Sequence, residues 1–106
     1  MDLEQLRESA QHASRLLKSL ANERRLLVLC HLSQGEKSVG ELERLVDISQ
    51  SALSQHLARL RRENLVETRR DAQTIYYSVC SPEALMVLET LYGIFCDDDG
   101  KSDKPD

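Results

Sequence analysis

Three cysteines, Cys30, Cys80 and Cys96, and three histidines, His12, His31 and His56, are the side chains of this 106-residue chain best suited to covalent or metal chemistry. The cysteines are odd in number and widely spaced, which argues against an extracellular disulfide framework and for free thiols in a reducing compartment. A thiolate can attack an electrophilic sulfur and a second thiol can resolve the adduct, provided the fold brings the two together. Cysteine is equally a small core residue, and Cys30 falls on an apolar helix face, so spacing alone leaves both roles open. The histidines have no spacing that would gather them, and zinc needs about four N, O or S ligands, so neither a metal site nor a cofactor is expected. No nucleophile-base pair, phosphate-binding glycine loop or carboxylate dyad stands out, and the chain is not expected to be an enzyme.

A second chemical set is built for hydrogen bonding. Gln50, Ser51, Ser54 and Gln55 are short polar or amide side chains that can both donate and accept, and Gln suits a two-point contact with adenine. Arg59, Arg61, Arg62, Arg69 and Arg70 follow, against only Glu63 and Glu67, so residues 50–70 carry a net +3. The chain as a whole carries −4, but residues 97–106 hold five Asp against two Lys and account for −3 of it. Positive charge is therefore local, as a DNA-contacting surface requires.

These side chains need elements to position them. Apolar residues at Leu3, Leu6, Ala10, Ala13, Leu17 and Leu20 step by three and four, which predicts a first helix over 3–20 capped by Asp2. Asn22 caps a second, whose core face is expected to include Leu26, Leu27, Leu29, Cys30 and Leu32 and which ends near Gly35. Arg24 and Arg25, a turn or more before Cys30, are placed to favour its thiolate. Ser38 and Glu41 have capping-box spacing and open a short third helix through Val46. After a tight break at Asp47-Ile48-Ser49, a fourth helix runs from Gln50 to about Asn64, burying Leu53, Leu57 and Leu60. His56 borders that stripe and is assigned to helix packing. The period then becomes two over 65–69 and 74–79, a hairpin with its tip at Arg70-Asp71-Ala72-Gln73. Ser81-Pro82 starts a fifth helix reaching about Cys96, apolar nearly all round.

This order predicts a mainly α chain with one β-hairpin: a winged helix-turn-helix, α-α-α-α-β-β-α, occupying residues 1–96 and followed by an acidic disordered tail, 97–106. In that motif the N-terminal part of the second helix of the pair meets base edges in the major groove. Gln50, Ser51, Ser54 and Gln55 lie there, opposite the leucine stripe, and are the candidate base readers. Arg59, Arg62, Arg69 and Arg70 are the candidates for phosphate contact at the helix and wing. One recognition helix reads few base pairs, so a homodimer on a near-palindromic duplex is expected, with the surplus apolar faces of helices one and five as its interface. No run of about 18 apolar residues is present and the first residues are acidic, which predicts a cytoplasmic protein without membrane contact.

From Leu16 to Phe95 the chain resembles the ArsR family of winged-helix repressors. The resemblance rests on four strings: residues 17–25 (LKSLANERR), 38–42 (SVGEL), 49–57 (SQSALSQHL) and 69–74 (RRDAQT). It implies a homodimer through the first and fifth helices, DNA contact through Gln50, Ser51, Ser54 and Gln55, and loss of DNA affinity when an inducer is sensed. Metal-sensing members place Cys-Val-Cys where this chain has Ser38-Val39-Gly40, or Asp and His ligands along the fifth helix, where residues 84–95 have neither. Cys30 and Cys96, 66 residues apart, resemble the dithiol of the sulfide- and persulfide-responsive branch. That resemblance implies that reactive sulfur species or oxidants join the two thiols and lower DNA affinity; Cys80 has no counterpart there. A metal-responsive repressor, and a constitutive regulator that displaces another DNA-binding protein and has inert cysteines, are the alternatives.

Overall fold

The computed structural model describes residues 2–96; the acidic tail expected to be disordered lies outside them. The elements are α1 (Leu3–Leu20), α2 (Glu23–Ser33), β1 (Lys37–Ser38), α3 (Val39–Val46), α4 (Gln50–Arg62), β2 (Val66–Asp71), β3 (Thr74–Val79) and α5 (Pro82–Phe95).

Helix starts follow local chemistry. Asp2, Asn22, Ser49 and Ser81 each accept a hydrogen bond from the backbone N–H three residues on, at 2.7 to 3.1 Å, and so satisfy one orphan donor of the first turn. At α3 the box closes both ways: Ser38 Oγ accepts from the Glu41 N–H at 3.2 Å, and the Glu41 carboxylate accepts from the Ser38 N–H at 2.8 Å. Gly35, at φ +144°, carries the chain out of α2 in a conformation that favours glycine.

The core gathers Val28, Leu29 and Leu32 of α2, Leu42 and Val46 of α3, the three α4 leucines, Leu65, Val66, and Ala84 and Leu88 of α5. On α2 the expected face is rotated: Leu27 is exposed, and Val28 is fully buried in its place. With five apolar residues in a row at 26–30, periodicity could not fix the inward direction; packing against α3 and β3 does. Helix α4 ends at Arg62, with Glu63 as its cap, short of the expected Asn64, which turns out at φ 62°.

The wing has three strands in the order β1-β3-β2. Strands β2 and β3 run through to the pair Asp71↔Thr74, so the turn is the two residues Ala72-Gln73 and not the four expected. The additional strand, β1, is only two residues long, Lys37 and Ser38, and pairs antiparallel with Tyr77 and Tyr76. Two residues that also begin a helix cap show no alternation, which is why the sequence did not reveal them.

Candidate DNA interface and thiol pair

The break between α3 and α4 is made by Asp47 in the left-handed region (φ 65°) and by Ser49, whose hydroxyl caps α4. Leu53, Leu57 and Leu60 are at most 2% exposed and clamp α4 to the core. That orientation leaves Gln50, Ser51, Ser54 and Gln55 all exposed at the N-terminal half of α4. His56 is half-buried, and its pKa is lowered by burial first, then by the Arg25 and Arg59 charges.

The arginines divide. Arg62 and Arg70 are exposed, Arg70 holding only the Ala72 carbonyl at 3.4 Å. Arg59 donates to Glu63 at 3.1 Å, and Arg69 donates to both oxygens of Glu36 at 2.9 and 2.8 Å. Glu63 also accepts from the Ser19 hydroxyl, joining the end of α4 to the end of α1. Burial opposes the Glu63 carboxylate, but the Ser19 and Arg59 hydrogen bonds outweigh it and hold its pKa below the usual range. Ser19, Glu36 and Glu63 escaped sequence reasoning because their partners lie on other elements.

Cys30 is half-buried on α2 against the core, while Cys96 follows α5 with its side chain exposed and its N–H donating to the Tyr92 carbonyl at 2.8 Å. Helices α2 and α5 pack on each other. Burial pushes the Cys30 thiol pKa up, and Cys96 lies near enough for its charge to raise it further. The expected activation of Cys30 by Arg24 and Arg25 is not what the structure shows. Arg25 is buried and turned to the end of α1, donating to the Ser19 carbonyl at 2.9 Å and the Lys18 carbonyl at 3.3 Å. Cys80 directly follows β3 and is exposed, its thiol 3.5 Å from the Asn64 carbonyl. Among the described residues no three His, Cys, Asp or Glu side chains gather as metal ligands do, and no helix is long and apolar enough to cross a membrane.

A helix-turn-helix whose second helix exposes a serine and glutamine face, followed by a β-wing, defines a DNA-binding transcription regulator of the winged-helix class. The profile described as "Bacterial regulatory protein, arsR family" matches residues 22–68. The chain is 49% identical over 96 residues to the transcriptional activator HlyU of Vibrio cholerae, covering 91% of this chain and 89% of that protein. The solved structure of reduced HlyU from Vibrio cholerae superposes with a TM-score of 0.86 at 48% identity, over 90% of this chain and 100% of that one. The transcriptional repressor BigR from Xylella fastidiosa gives 0.82 at 41% identity, over 92% and 99%. The chain belongs to the ArsR family of bacterial transcription regulators.

Proposed function

We propose that this regulator is a homodimeric repressor that binds a near-palindromic duplex when Cys30 and Cys96 are reduced thiols and releases it when they are joined. The observation that carries the proposal is the position of Cys30 on α2 and of Cys96 at the C-terminal cap of α5, two helices packed together, with the thiols near enough for one to feel the charge of the other. Gln50, Ser51, Ser54 and Gln55 read base edges, and Arg59, Arg62 and Arg70 meet phosphates. Arg59 is included because its single bond to Glu63 lies at the surface, where such a pair costs little to exchange.

The chemistry balances with a polysulfide or organic persulfide as oxidant. The exposed Cys96 thiolate attacks its sulfane sulfur and expels a thiolate or a shorter polysulfide, leaving a persulfide on Cys96. The Cys30 thiolate then attacks the Cys96 sulfur, expels sulfide and closes a disulfide, so two electrons pass from the dithiol to the donor. A second equivalent of donor that also converts Cys30 to a persulfide gives a longer bridge: the Cys96 persulfide attacks the inner sulfur of the Cys30 persulfide, expels sulfide and closes a trisulfide. Either link ties α2, which packs on the helix-turn-helix, to α5.

The second subunit is expected on the unpartnered apolar faces. In α1 only Ser19 and Leu20 are buried, with Leu3 81% exposed, and on α5 Phe95 is 77% exposed. The test is operator binding by wild-type, Cys30→Ser and Cys96→Ser proteins with and without a persulfide donor. Wild-type should release DNA and recover it with dithiothreitol, and each variant should bind without responding. Release by both variants would show that the two thiols are not the switch.

A further inference from the structure

The wing is braced from within. Arg69 of β2 stands opposite Tyr76 of β3, and its guanidinium carbon lies 4.7 Å from the centre of the Tyr76 ring. Across that strand it meets Glu36, the residue before β1, through two parallel bonds of 2.9 and 2.8 Å. This fork-to-fork geometry fixes direction as well as distance. Glu36 sits one residue after Gly35 and two before Ser38, the cap of α3, so it belongs to the short loop between α2 and the helix-turn-helix. Arg69 therefore connects the wing to the segment that sets where α3 begins.

Alternation along β2 gives its two arginines different work. Successive side chains of a strand point to opposite faces. Arg69 shares a face with Tyr76 and the Glu36 carboxylate, while Arg70, opposite Ile75, lies on the other face and has no carboxylate partner among the described residues. We infer that Arg69 is a positioning residue for DNA binding: stacked on Tyr76 and clamped by Glu36, it sets the angle of the wing relative to the helix-turn-helix and leaves phosphate contact in the wing to Arg70.

The charge balance supports that division. A phosphate approaching Arg69 would have to displace a carboxylate already held at two points, and the Arg69 hydrogen bonds keep Glu36 ionised by pulling its pKa below the usual range. A hairpin alone, joined by two turn residues and held by one partner strand, would be freer to swing. The clamp and the β1 pairing together prevent that.

The two roles separate in the salt dependence of binding. Full-length wild-type, Glu36→Gln, Arg69→Gln, Arg70→Gln and the double Glu36→Gln/Arg69→Gln protein, all reduced, are titrated against a duplex selected from a random pool by the wild-type chain. A lost phosphate contact makes the slope of log affinity against log salt shallower by about 0.9. Arg70→Gln should show that change. Glu36→Gln and Arg69→Gln should each weaken binding by roughly tenfold with the slope unchanged, and the double variant should lose no more than either alone, as two ends of one contact do. If Glu36→Gln binds as well as or better than wild-type while Arg69→Gln flattens the slope, Arg69 touches phosphate and the inference is wrong. Equal binding by all of the Glu36 and Arg69 variants, with only their thermal midpoints lowered, would reduce the clamp to a stabilising contact and equally overturn it.

Discussion

Cys30 and Cys96 differ in access and in setting, and that difference orders their chemistry. Cys96 is exposed beyond the end of α5, whereas Cys30 is half-buried with its thiol pKa raised. Attack on an incoming sulfur species therefore falls to Cys96, and resolution to Cys30. In a Cys80→Ser background, which removes the other exposed thiol, the Cys30→Ser protein should accumulate a persulfide adduct on Cys96, visible as added sulfur in the intact mass, while Cys96→Ser should stay largely unmodified; the reverse pattern would invert the order. Because the raised pKa keeps Cys30 protonated near neutrality, bridge closure should quicken as pH rises from about 7 to about 9, and stopped-flow release of labelled DNA measures it. The linked stability runs the other way: a raised pKa favours the folded protein at neutral pH and below, and that contribution is lost as pH climbs through the shifted value.

Among the elements, the wing carries the clearest backbone strain. Its tight turn places Ala72 at φ 60°, where a Cβ crowds the following carbonyl. Glycine removes that clash, so Ala72→Gly should stabilise the fold by about 1 kcal/mol, with the opposing entropic loss already included as a partial offset. Urea unfolding of the reduced protein measures the change, and a lower midpoint would show that the alanine conformation is not strained. Helix α4 illustrates the opposite case: its cap, leucine stripe and polar face all agree, and the recognition surface needs no strain to be presented.

The whole chain is larger than its core. Its radius of gyration, 15.7 Å, exceeds the roughly 13 Å of a compact chain of this length. Helix α1 is 18 residues long with only two of them buried. Apolar stripes of that kind are hidden in a stable protein, and a second copy covering α1 and α5 also doubles the recognition helices on the duplex. Leu6→Glu, which alters α1 but neither α4 nor either cysteine, should convert a wild-type dimer to monomers in sedimentation velocity and weaken operator binding by at least tenfold, since half of the contacts would have to bind alone. A wild-type protein that sediments as a monomer at micromolar concentration would overturn the dimer.

What the sequence alone determined was local. The caps at Asp2, Asn22, Ser38, Ser49 and Ser81 act within three residues, so the helix starts, the turn before α4 and the exposed face of Gln50, Ser51, Ser54 and Gln55 could be read directly, and with them the class of protein. The inward side of α2 was ambiguous because five consecutive apolar residues have no period, and only packing chose Val28 over Leu27. Tertiary structure alone decided the contacts between distant segments: Glu36 with Arg69, Ser19 with Glu63, and Arg25 with the end of α1 instead of with Cys30. It also brought Cys30 toward Cys96 across 66 residues of chain. Helix and cap signals repeat every few residues along the backbone, whereas such pairings depend on how finished elements pack, and no single-chain pattern encodes that distance.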